Sequence, residues 1–286
     1  MISGEGFSPS SCPHPNFERR NSISPNGRDK ESAFSLIELA IVLVILGLLV
    51  GGIMTGQSLI RAAELRSVTS DFNKYVAATN TFRDKYFALP GDMTNATAFW
   101  GTAHATAATC VTTASTNTAT CNGNGDGIVV PSTGSNESFR YWQHLANAGL
   151  IEGRYSGISD GTANTYVTTP NNAPVSKLSN SLWLMWSWGI LDTTDPLVFA
   201  GDYTRFYMFG MPYPNGAPES INLKPEELWN IDTKMDDGKP GTGGVVARTW
   251  ANSCVSNATS AADTNTATYN LTNQSIACTV IFRGMF

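Results

Sequence analysis

Phe34-Ser-Leu-Ile-Glu-Leu-Ala-Ile-Val-Leu-Val-Ile-Leu-Gly-Leu-Leu-Val-Gly-Gly-Ile-Met54 is apolar almost throughout and carries a single charge, at Glu38. As a helix this run is long enough to cross a hydrocarbon layer of about 30 Å. A secretory signal peptide fits less well: the run is longer than usual, and no clear Ala-x-Ala follows Gly51-Gly52. Arg19-Arg20 lies too far upstream for a twin-arginine signal, and the run contains a carboxylate. A plain anchor fits the length but leaves Glu38 unexplained. An ionised carboxylate deep in a bilayer costs about 2.5–3.5 kcal/mol or more, so it normally has a partner and a task.

Upstream, residues 1–33 are polar and irregular, with Pro13, Pro15, Pro25 and Gly27 and no helical period. Downstream, Leu65, Val68, Phe72, Tyr75, Val76, Thr79, Phe82 and Tyr86 recur every three or four residues, with charges mostly between them. The pattern predicts an amphipathic continuation of the helix over 59–89, stopped by Leu89-Pro90-Gly91-Asp92. A single helix from about Phe34 to Ala88 would be roughly 80 Å long.

Ser32-Ala33-Phe34-Ser35-Leu36-Ile37-Glu38-Leu39 resembles the cleavage and methylation motif of type IV prepilins and type II secretion pseudopilins. The resemblance implies that prepilin peptidase cuts between Ala33 and Phe34 and methylates the new amino group of Phe34. It also implies that Glu38 meets the Phe34 amine of a neighbouring subunit, a pairing of two buried charges that specifies stagger more than it adds stability. Ala33 stands where the family usually has glycine, and Thr55 where many pilins have proline. The implied organisation is a leader (1–33), a transmembrane half-helix (34–58), an amphipathic half-helix (59–89) and an extracytoplasmic head (90–286). The implied partners are prepilin peptidase, other pilin or pseudopilin subunits and an assembly platform in the inner membrane.

The composition beyond the helix supports an extracytoplasmic head. Charged residues make up only 14% of the chain, Gly numbers 26, and the net charge of −5 gives no electrostatic case for nucleic-acid binding. Cys12 stands apart, before the apolar run. The four later cysteines form two local pairs, Cys110 with Cys121 and Cys254 with Cys278, and no C-x-x-C spacing exists. Four cysteines allow three connectivities; the loop-like character of the intervening segments favours the local one, each bridge contributing about 2–4 kcal/mol.

Residues 93–135 read as a long, stapled surface excursion. Within it Asn122-Gly-Asn124-Gly-Asp126-Gly127 has the alternating oxygen donors of a calcium loop, but Thr133 occupies the place of the closing acid, which favours a plain turn. A short helix is expected over 139–149, packed by Trp142 and ended by Gly149, with His144 in a structural or surface role. Strands are expected at 181–191, 196–200, 205–211 and 279–286. Together they predict an α+β fold with an antiparallel sheet laid against the long helix. Another short helix opens near Pro225 and turns into an acidic loop, where Asp232, Asp236 and Asp237 form a candidate calcium set; no other cofactor is indicated.

Catalysis finds little support. Gly157-Ile-Ser159-Asp-Gly161 matches a nucleophile-elbow string but lacks the strand before and the helix after, and no histidine follows Ser159. A filament subunit is therefore the leading reading. A membrane-anchored adhesin or substrate receptor, using Trp183–Trp188 or the 93–135 excursion, is the alternative, and an ordinary anchored protein with a chance motif is the third.

Overall fold

The computed structural model describes residues 35–115, 117–131, 136–159, 171–178, 180–195, 197–213, 216–248 and 253–284. The chain divides into two units, Met1–Ile53 and Met54–Phe286. Helix α1 (Leu36–Tyr86) starts in the first unit, where every described residue from Ser35 to Ile53 is exposed.

In the second unit α1 buries Val68, Phe72, Tyr75, Ala78, Thr79 and Phe82, a stripe at three- and four-residue spacing. Leu65, Val76 and Tyr86 flank it, partly buried. The helix ends at Phe87, whose positive φ of 53° closes the last turn while its N–H donates to Arg83 O at 2.8 Å. Short helices α2 (Ala96–Trp100) and α3 (Ala107–Cys110) follow, then α4 (Glu137–Asn147). Gly149 lies just past α4 with a φ of +72°, and Leu150 N–H reaches back to Leu145 O at 3.0 Å, a left-handed helix ending of the kind glycine permits.

Eight strands are present among the described residues: β1 (Leu182–Trp186), β2 (Gly189–Leu191), β3 (Gly201–Tyr203), β4 (Phe206–Gly210), β5 (Val245–Ala247), β6 (Val255–Ser256), β7 (Thr268–Tyr269) and β8 (Val280–Arg283). Helix α5 (Pro225–Met235) lies between β4 and β5 in the chain. The main sheet is antiparallel in the order β1-β4-β8-β5, with Leu184 opposite Met208 and Met208 opposite Ile281; β2-β3 and β6-β7 are two-stranded. The fold is thus α+β, a long apolar helix followed by a head with an antiparallel sheet.

The expected strand over 196–200 is corrected. Asp195 Oδ1 accepts the N–H groups of Leu197 (2.7 Å) and Val198 (2.9 Å), which bends the chain there and delays the strand to Gly201. Likewise 181–191 is not one strand: β1 stops at Trp186, and β2 starts at Gly189, whose φ is +89°.

Helix and sheet meet through aromatic rings. Phe72 stacks on Phe282 with centroids 4.9 Å apart, and Tyr75 lies edge-on to Trp142 (4.9 Å) and Trp183 (5.6 Å). At the centre of this layer three buried hydroxyls bond to one another: Thr79 on α1, Tyr141 on α4 and Tyr207 on β4. Thr79 Oγ1 is 3.1 Å from Tyr207 OH, Tyr141 OH is 2.5 Å from Tyr207 OH, and Thr79 also bonds Tyr141. Nearer Met54, the Arg61 guanidinium grips both oxygens of Glu227 on α5, at 2.6 and 2.7 Å, and donates to Asn222 O at 3.2 Å.

Candidate functional site

Ser35, Leu36, Ile37 and Glu38 open helix α1. Ser35 Oγ accepts Ile37 N–H at 3.3 Å, and Glu38 Oε2 accepts Ser35 N–H at 2.9 Å. This is a reciprocal cap: a serine just before the helix and a glutamate three residues on each satisfy a main-chain donor that the first turn leaves over. The Ser-x-x-Glu signal preceding an apolar run stands in the sequence, and it gives Glu38 a capping role beside the intersubunit role that the resemblance implies. Glu38 Oε1 makes no hydrogen bond among the described residues and is exposed, as are Leu36, Ile37 and Leu39 around it. The expected cleavage and methylation residues, Ala33 and Phe34, lie outside the described residues.

Among the described residues nothing covers the surface around Glu38. Leu36 is 87% exposed and Leu48 73%, and a Cβ added at Gly47, Gly51, Gly52 or Gly56 would meet nothing within 4 Å. Helix α1 is long and apolar enough to cross a membrane. An unbroken apolar surface of this extent is far larger than a soluble monomer normally leaves in water.

In the head, Cys110 and Cys121 form one disulfide and Cys254 and Cys278 another, with Cα–Cα distances of 5.8 and 5.0 Å. The first ties the excursion after α1 to itself, and α4 holds it from below. Arg140, 1% exposed, donates to the carbonyls of Cys110 (3.1 Å) and Thr113 (2.9 Å) and to Gln143 Oε1 (2.8 Å). His144 is structural: Nδ1 accepts Gly91 N–H at 3.0 Å, Nε2 bonds Thr120 Oγ1 at 2.9 Å, and burial with Arg140 nearby lowers its pKa to about 3. Gly91 is obligatory here, because its φ is +82° and a Cβ would lie 2.3 Å from Glu137 O.

Asp232, Asp236 and Asp237 do come together at the end of α5, with ligand oxygens within 4.8 Å of one another. Each already serves the loop it stands in. Asp232 is buried and accepts from Tyr269 OH (2.7 Å) and Gly238 N–H (3.2 Å), Asp236 accepts from Gly244 and Val245 N–H, and Asp237 accepts from Thr242 and Lys239. Trp183 is fully buried between Tyr75 and Phe209, so it offers no face to a ligand. Tyr155 to Ser159 run through bends rather than a strand, and Ser159 N–H is held by Asn136 Oδ1 at 3.0 Å; Asp160 and Gly161 lie outside the described residues.

Residues 28–54 match the family described as the prokaryotic N-terminal methylation motif, consistent with the type IV pilin and pseudopilin family. No curated protein and no solved structure matches the chain. The motif supports a pilin-like, type IV prepilin-type first helix, and it implies processing by prepilin peptidase and assembly with pilin subunits. That family is structural rather than enzymatic, and the long apolar helix is consistent with a single-pass membrane anchor.

Proposed function

We propose that the chain is a structural subunit of a type IV pilus-like or type II secretion filament, cut between Ala33 and Phe34 and methylated on Phe34. One observation carries the reading: Glu38 is the only charge on an apolar helix surface, and it stands fifth from the proposed new N-terminus. Its Oε2 is bound by Ser35 N–H while Oε1 has no bond among the described residues. That oxygen is available to the amine of a neighbouring subunit. A subunit packed out of stagger would leave both charges unpaired in a medium of low dielectric, so the pair selects one register.

In this reading the anchor crosses the inner membrane once and the head stands in the periplasm or outside the cell, the oxidising setting in which its disulfides persist. Assembly transfers the apolar run from lipid to the flanks of neighbouring helices. The test is mass spectrometry of the mature protein. A chain that starts at N-methylated Phe34 supports the proposal, and an intact leader or a cut beyond residue 50 overturns it.

A further inference from the structure

Phe87 closes α1 at a position that favours glycine. Its φ of 53° lies in the left-handed region, which strains any residue with a Cβ and which glycine adopts freely. The head gives its ring little in exchange. Phe87 is 93% exposed, whereas Tyr86 beside it packs on Phe82, Phe99 and Trp100 at centroid distances of 4.5, 5.2 and 5.4 Å. A strained aromatic turned to solvent is a feature that binding sites retain and plain surfaces do not need.

The ring lines a cavity of about 760 Å³, within the range of small-ligand sites. Asn80, Arg83, Asp84 and Phe87 line it together, and their three- and four-residue spacing puts them on one face of the last two turns of α1. Arg205, from the turn between β3 and β4, brings a second guanidinium to the same cavity, and Thr94 a hydroxyl. Among the described residues Arg83 forms no ion pair. Asp92 also lines the cavity, but its charge is already met: its oxygens accept the N–H groups of Gly125 (2.6 Å), Asp126 (3.2 Å) and Gly127 (2.8 Å). The surface therefore combines one open aromatic face, two guanidiniums from separate elements and several groups suited to hydroxyls.

We propose that this cavity binds an acidic saccharide, a short sugar chain that carries a carboxylate. The electron-rich face of the Phe87 ring attracts the polarised C–H groups on the flat side of a sugar. The planar forks of Arg83 and Arg205 match a carboxylate. Asn80, Asp84 and Thr94 supply acceptors and donors for hydroxyl groups. An apolar protein segment fits less well, because the guanidiniums and Asp84 would lose water against it with nothing returned. The site uses none of the residues around Glu38 and does not depend on filament assembly.

The experiment uses the full chain in micelles of a detergent without a sugar headgroup, titrated by calorimetry with trigalacturonate, sialyllactose and neutral maltotriose. Saturable binding of at least one acidic sugar is expected, with maltotriose at least about tenfold weaker. Arg83→Gln and Phe87→Gly should each weaken the acidic sugar by about tenfold or more. In Phe87→Gly the Tm is expected to hold or rise, because glycine relieves the left-handed strain; a purely structural ring would instead lower it on removal. Absence of heat with both acidic sugars at millimolar concentration overturns the proposal. So does equal binding of maltotriose, or undiminished binding in both variants.

Discussion

Two stretches of α1 are built from similar apolar residues and end in opposite states. From Leu36 to Ile53 the apolar side chains are exposed on every side; from Val68 to Phe82 they form one stripe, buried under Trp142, Trp183, Tyr207 and Phe282. The difference lies in periodicity. The second stretch has charges such as Lys74 and Asp84 between its apolar positions, so one face belongs to the head and the other to water. The first has no polar face, nothing among the described residues covers it, and it is long and apolar enough to cross a membrane.

Substitutions that act on one stretch and spare the other break or sharpen this contrast. The largest effect is expected at Glu38. Glu38→Ala should reduce incorporation into filaments by a hundredfold or more, on the order of the 3–5 kcal/mol lost when one partner of a buried ion pair is removed. Head unfolding, followed by near-ultraviolet circular dichroism, should not change. Phe82→Ala is the mirror experiment: it should cost the head about 3–5 kcal/mol in denaturant unfolding while leaving membrane retention intact. Replacing Cys254 and Cys278 with serine should cost about 2–4 kcal/mol in the same assay, again without affecting the anchor.

Acid should destabilise the head through His144. Its pKa is near 3 in the fold and 6.5 when unfolded, so between those values the unfolded chain binds the extra proton and stability falls as pH falls. The expected slope from this residue is about 1 kcal/mol per pH unit below 6.5, seen as a shift in the denaturation midpoint and flattened in His144→Gln. The smallest effect belongs to Ser35→Ala, which removes half of the reciprocal cap. A loss of about 1 kcal/mol in the first turn should appear as faster amide exchange at residues 36–38 in micelles, with the head unchanged.

Much of this contrast was legible in the sequence. The apolar run with its lone Glu38, the Val68–Phe82 stripe and the Leu89-Pro90-Gly91 stop all depend on local periodicity and local breakers, which the chain writes in order. Helices α4 and α5 and strands β1, β4 and β8 were legible for the same reason. Strand β5 was not, because Val245–Ala247 is three residues long and is defined by its pairing with β8 rather than by any period of its own. The bend at 197–200 was hidden in one aspartate side chain. The holding of the Asn124–Gly127 amides by Asp92 and Glu137 was invisible for a different reason: the residues are spread over more than forty positions, and only the fold of the excursion brings them together.

The cluster of Thr79, Tyr141 and Tyr207 gives the long helix a mechanical property. An apolar stripe alone resists sliding weakly, since one aromatic contact can be exchanged for another. Three interlocked hydroxyls cannot be exchanged in that way: displacing α1 along its axis by a single residue, about 1.5 Å, would strand buried oxygens at about 1–3 kcal/mol apiece. With Arg61 clamped on Glu227 a few turns away, tension applied to the helix is met in shear at two separated points. The head would then be carried by a pulled helix as cargo riveted to a rod, and would yield by unfolding before it slipped.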